Sequence, residues 1–111
     1  MDITQLLTFL FQQNGSDLHI SSGESPMVRV DGDMKKIKVP ALTSEQTQSM
    51  LYDIMNDSQR KVFEEKSDID FSIELGETAR FRVNVFRQRK GMGAVFRTIP
   101  TKILSLEQLG M

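Results

Sequence analysis

Residues 78–106 contain seven basic side chains and no acid: Arg80, Arg82, Arg87, Arg89, Lys90, Arg97 and Lys102. The rest of the 111-residue chain holds the other seven bases and all fifteen acids, so a formal net charge of −1 conceals a +7 segment set against a −8 remainder. A local cationic ribbon of this kind faces an anion: phosphate, nucleic acid, acidic lipid or an acidic partner surface. Strand alternation narrows it. Phe81, Val83 and Val85 fall on one face, and Arg80, Arg82, Asn84 and Phe86 on the other. Beyond a basic turn, Met92, Ala94, Phe96 and Thr98 share a face, with Val95, Arg97 and Ile99 opposite. A turn centred between Arg89 and Lys90 pairs Val85 with Ala94 and Val83 with Phe96, so the apolar faces match. That register sets Arg82 directly opposite Arg97. Like charges opposed on a sheet destabilise it, so the pair calls for an outside anion or a carboxylate from elsewhere in the fold. Arginine suits phosphate, because its planar fork donates bidentate hydrogen bonds and keeps its proton.

The ribbon holds no phosphate loop of its own. Gly91-Met-Gly93 continues as Ala94-Val95-Phe96, so G-x-G-x-x-G fails at its third glycine, and no G-x-x-x-x-G-K-[ST] occurs. Any phosphate met by Arg82 and Arg97 must be held mainly by another domain or chain. The other constellations are weaker. His19 is the only histidine, and Asp17 at i,i+2 is a thin basis for a metal site; a polar strand face is the plainer reading. Asp68 and Asp70 share a strand face without the convergence that acid–base work needs. Ser16, Ser21 and Ser22 form no recognisable Ser-His-Asp arrangement. The seven methionines are scattered and read as core filler. Taken alone, these residues do not make an enzyme.

Several elements must position the ribbon. Asp2 with Gln5 reads as a capping box for a helix carrying Ile3, Leu6, Leu7, Leu10 and Phe11 at helical spacing, stopped at Asn14-Gly15. Residues 16–21 alternate, with Leu18 and Ile20 inward and Asp17 and His19 outward. After Ser25-Pro26, strands over 27–30 and 34–39 flank the hairpin signal Asp31-Gly32. Thr43 with Gln46 caps a second helix whose buried stripe is Thr47, Met50, Leu51 and Ile54. A third helix spans about 58–65, with Arg60–Glu64 and Lys61–Glu65 as i,i+4 pairs. Residues 69–75 alternate with Ile69, Phe71, Ile73 and Leu75 inward, and Gly76-Glu77 turns into the ribbon. Ser105-x-x-Gln108 starts a final helix with little chain after it, which suggests a piece of a longer protein. Strands and helices come in runs, which predicts an α+β domain with a mainly antiparallel sheet and helices packed on one face.

Length fits one domain over 1–111 with a real core. The absence of cysteine excludes disulfides and thiolate metal sites. No apolar run reaches the ~20 residues of a membrane-spanning helix, and the N-terminus lacks the basic start of a signal peptide. A sequence pI near 5.8 argues against a general nucleic-acid binder.

SDLHI at 16–20, MVRVDGDM at 27–34, YDIMND at 52–57, RFRVNVFRQRKGMGAVFRTIP at 80–100 and LEQLGM at 106–111 together resemble the N-terminal domain of the type IV pilus retraction ATPases, in the secretion ATPase family. The resemblance runs the whole chain in order. It implies a PAS-like fold followed by a RecA-like ATPase domain that carries the phosphate loop, assembled as a homo-hexamer. Such rings sit at the cytoplasmic side of the inner membrane against the pilus assembly platform proteins, and power pilus retraction and twitching motility. ATP, with magnesium, lies between the two domains; no cofactor is expected on this stretch by itself, and no nucleic acid is implied. By position in the family motif, Arg82 of RFRVN and Arg97 of FRTIP are the residues that touch nucleotide phosphate, with Arg80 as runner-up. A stand-alone PAS-like ligand sensor is the alternative, and predicts a core cavity; a nucleic-acid binder has only Phe86 on the arginine face for stacking.

Overall fold

The computed structural model describes residues 3–75 and 79–99. The expected cap at Asp2, the turn at Gly76-Glu77, Lys102 and the helix start at Ser105 lie outside the described residues. Three helices, α1 (Ile3–Gln12), α2 (Ser44–Tyr52) and α3 (Asp57–Lys66), accompany six strands: β1 (Asp17–Ser21), β2 (Met27–Val30), β3 (Asp33–Lys36), β4 (Asp68–Leu75), β5 (Ala79–Gln88) and β6 (Gly91–Ile99). The strands form one sheet in the order β3-β2-β1-β6-β5-β4, each pair antiparallel. This is the α+β architecture expected from the runs of helix and strand.

Alternation explains the core. Leu18, Ile20, Phe81, Val83, Val85, Ala94 and Phe96 are all buried on the sheet face that the helices cover. Ile3, Leu6, Leu7 and Leu10 of α1, Met50 and Leu51 of α2, and Phe63 of α3 pack onto it. Ile69, Phe71 and Ile73 of the edge strand β4 are only half-buried against the same cluster. Two grooves open to solvent: one of about 480 Å³ runs between residues 39–42 and α2, and another of about 380 Å³ lies beside α1 and β3. They lend nothing to a ligand enclosed in the core.

Turns and caps follow local chemistry. Asp31 and Gly32 have φ of 53° and 83° and join Val30 to its partner Asp33, as a two-residue hairpin turn requires. The strand expected over 34–39 is shorter, ending at Lys36. Its neighbour is preceded by Pro26, which has no N–H to extend the ladder; the Pro26 carbonyl still accepts from the Ile37 N–H at 2.9 Å. Thr43 and Gln46 exchange both capping-box bonds at 3.0 and 2.9 Å. The third helix is a residue longer at each end than the periodicity suggests; Asn56 caps its start, its side chain accepting from the Gln59 N–H at 2.8 Å, and Ser67 in the left-handed region ends it. Asn56→Ala is expected to cost about 1 kcal/mol, lowering the melting midpoint by roughly 4–8 °C. Asn56→Ser keeps a capping oxygen and should melt near wild type.

Arg60 departs from the expected i,i+4 pairing. Its Nε and Nη2 donate to the Tyr52 carbonyl at 3.0 and 2.6 Å, Nη1 lies 3.6 Å from Asp57, and the guanidinium sits over the Tyr52 ring. The carbonyl of Tyr52, at the end of α2, also accepts from the Met55 N–H at 3.2 Å and takes Arg60 on its second lone pair. Nor does an ion pair join Lys61 to Glu65 among the described residues. Glu64 instead accepts the Tyr52 hydroxyl at 3.0 Å. Partial burial first, and Glu64 second, raise the Tyr52 phenol above its ordinary value of 10.0. The neutral phenol is the favoured form, so this contribution to stability is complete below pH 10 and lost as pH rises through the raised value. Tyr52 is the only tyrosine, so an ultraviolet titration should show one midpoint above 10, moved downward by Glu64→Gln. A midpoint at or below the ordinary phenol value would contradict this packing.

Candidate functional site

The face opposite the helices carries the polar set. One row crosses five strands: Arg29 of β2 opposite Asp17 of β1, Asp17 opposite Arg97 of β6, Arg97 opposite Arg82 of β5, and Arg82 opposite Ser72 of β4. The β5–β6 register, with Val85 on Ala94, Val83 on Phe96 and a two-residue turn at Arg89-Lys90, is the one the apolar alternation predicts. Arg82 and Arg97 therefore stand side by side on adjacent strands.

The acids of β4 decide which arginines are committed. Its outward positions are Asp68, Asp70, Ser72 and Glu74. Glu74 takes Arg80 at 2.8 Å, and Asp68 accepts from Asn84 at 2.9 Å. The series breaks at Ser72, and Ser72 is the residue opposite Arg82. Among the described residues no ion pair involves Arg82. Arg80 is thus engaged at home while Arg82 is not. Charge alone did not rank those two; the register of β4 on β5 separates them.

Arg97 has a partial partner. Its Nη2 reaches Asp17 Oδ2 at 3.4 Å while 70% of its side chain stays exposed. Asp17 is the buried member, with 10% of its side chain exposed. The sequence pattern placed Asp17 on the outward face, which holds, but did not foresee its burial or its tie to a residue 80 positions away. Asp70, Arg82, Asn84, Val95 and Arg97 line a shallow depression of about 290 Å³. Two forked cations over an open depression can grip an anion, with the Asp70 carboxylate at its edge.

The rest of the ribbon is accounted for differently. Arg87 lies over the Phe63 ring, 4.9 Å from its centroid, a cation–π contact that holds it to the domain. Phe86 is seated on Gly93: a Cβ there would stand 2.8 Å from Phe86 Cε1 and 3.2 Å from the Ile20 carbonyl oxygen. The one aromatic on the arginine face is spent on packing. His19 Nε2 lies 3.9 Å from Asp17 Oδ2. Among the described residues no group of three His, Asp or Glu side chains is placed to hold a metal ion. No helix among them is long and apolar enough to cross a membrane.

No protein-family model matches the chain. Among curated proteins it is 58% identical over all 111 residues to the type IV pilus retractation ATPase PilT of Pseudomonas aeruginosa, covering 32% of that protein. It is 49% identical over 85 residues to the twitching motility protein of Neisseria gonorrhoeae, with 77% of this chain and 23% of that one covered. Among solved structures it superposes on the pilus retraction motor PilT with bound ADP at a TM-score of 0.86 and 36% identity, covering the whole of this chain and 33% of that one. The chain thus spans about a third or less of the length of these relatives.

Proposed function

We propose that the chain, 58% identical over its whole length to a type IV pilus retractation ATPase, acts as the N-terminal domain of an ATPase motor of the secretion ATPase family, for pilus retraction and twitching motility. In this reading Arg82 and Arg97 extend from the open sheet face to the phosphates of ATP, which is held with magnesium by a RecA-like domain of the same protein. The observation that carries it is the facing pair: two arginines directly opposed, one with no acidic partner among the described residues and one only loosely held. An opposed cation pair is unfavourable until an anion joins it, so phosphate binding and relief of repulsion coincide. The ADP bound to the structurally similar retraction motor supports a nucleotide as that anion.

The same reading includes a homo-hexameric ring at the cytoplasmic side of the inner membrane, working against the pilus assembly platform proteins. The domain supplies ring contacts and phosphate-binding arginines, and the chemistry of hydrolysis belongs to the ATPase domain. Steady-state ATP turnover of the full-length ATPase carrying Arg82→Ala or Arg97→Ala tests it. Unchanged turnover in both would sink the arginine assignment.

A further inference from the structure

We infer that Asp17 is a positioning residue for Arg97: its carboxylate occupies the arginine in place of phosphate and yields it when nucleotide arrives. This rests on the reading that Arg97 meets ATP phosphate. Three observations carry it. First, Asp17 is a buried carboxylate on a central strand, and burying such a charge is costly unless it is paired. Of the two arginines opposite it across the strands, Arg29 turns away and donates through Nη1 to the Gly32 carbonyl at 3.1 Å. Arg97 is therefore the cation that Asp17 holds.

Second, the hold is loose. A single contact at 3.4 Å from a side chain 70% exposed is of the weak class of ion pairs. Bidentate, charge-assisted bonds to phosphate are stronger and replace it readily. While no anion is present, leaning toward β1 also carries the Arg97 guanidinium away from Arg82, which lies on the other flank of β6. Third, a successor is in place. His19 Nε2 is buried, has no hydrogen-bond partner, and stands 3.9 Å from the same Asp17 oxygen. Carrying its hydrogen on Nε2, the imidazole can close that gap and satisfy the carboxylate after Arg97 departs. The arginine exchanges Asp17 for phosphate, and Asp17 exchanges the arginine for His19.

The consequence has a sign opposite to that of an ordinary structural contact. Asp17 competes with phosphate for Arg97, so removing its charge tightens nucleotide binding. ATP affinity is measured on the full-length ATPase by competition against a fluorescent ADP. Asp17→Asn should lower the ATP Kd by about two- to fivefold, the range set by the worth of one exposed ion pair. Asp17→Ser, neutral and smaller, should lower it as well. In an Arg97→Ala background the Asp17→Asn effect should vanish. An unchanged or raised Kd in both Asp17 variants overturns the inference, as does tightening that persists without Arg97. If Arg97→Ala alone leaves the ATP Kd unaltered, the phosphate reading itself fails. If Arg97→Ala weakens ATP while the Asp17 variants do not tighten it, only the inference about Asp17 fails.

Discussion

Arg97→Ala in the full-length ATPase is expected to lower ATP turnover by about 10²-fold or more, and Arg82→Ala to do likewise, the scale of losing one preorganised donor to a developing phosphate charge. The expectation follows from geometry. Both guanidiniums rise from one row of adjacent strands, so a phosphate seated between them loses half its cationic clamp with either change. The two losses should not add, because in the proposed site both arginines would hold the same phosphoryl group. Arg97→Lys should restore little, since an ammonium is a point charge without the fork. Arg82 is exposed, with no ion pair among the described residues, so Arg82→Ala should melt within roughly 0.5 kcal/mol of wild type; Arg97→Ala gives up its loose bond to buried Asp17 and should cost about 1 kcal/mol at most. Equal melting curves beside a collapsed turnover would separate a functional role from a structural one. Arg80→Ala makes the internal comparison. Its exposed bridge to Glu74 is the weak kind, and its turnover should stay within about twofold of wild type. A loss at Arg80 as large as at Arg82 would reassign the site.

The second large effect is on stability. Phe96→Ala should destabilise the domain by about 3–5 kcal/mol, the cost of deleting a fully buried aromatic ring and leaving a cavity. Phe96 is 0% exposed and lies between Leu18 and Val83, both equally inaccessible, on the flanking strands. Typical domains hold only about 5–15 kcal/mol in total, so the variant should unfold at much lower urea or not fold at all. Phe96→Leu keeps most of the volume and should lose far less. A shift below about 1 kcal/mol for Phe96→Ala would mean that the sheet centre is not packed as described. Because Phe96 precedes Arg97 in the same strand, Phe96→Leu should keep Arg97 in register with Arg82.

The parts legible in the sequence were those fixed by neighbours in the chain. The register that faces Arg82 with Arg97 needs only a short turn and two alternating strands, and it holds residue for residue. The Asp31-Gly32 turn and the Thr43–Gln46 box are likewise local and were readable. What escaped depended on distant partners. Nothing in residues 16–21 indicates that this strand sits between β2 and β6, so Asp17 read as an outward acid rather than the counter-ion of Arg97. The gap at Ser72 in an otherwise acidic edge has meaning only once β4 is laid on β5. Arg60 had Glu64 at helical spacing, yet it donates to the Tyr52 carbonyl at the end of the preceding helix. Local propensity names the elements; desolvation and unpaired backbone groups in the assembled fold choose among side-chain partners.

The strand order has a consequence for how the chain is made. β1 and β6 are neighbours at the middle of the sheet, yet they are the first and last strands along the described chain. During synthesis β1, β2 and β3 emerge early with one flank of β1 unpaired, and the inward side chains Leu18 and Ile20 wait for Phe96 and Ala94. The first half cannot complete its sheet until β6 leaves the ribosome. Closing so long a loop makes folding slow for a chain of this size, in the millisecond-to-second class of sheets with distant pairings. The strand that carries Arg97 is thus also the one that ends the waiting: the sheet and the row that sets Arg82 opposite Arg97 are completed by the same event.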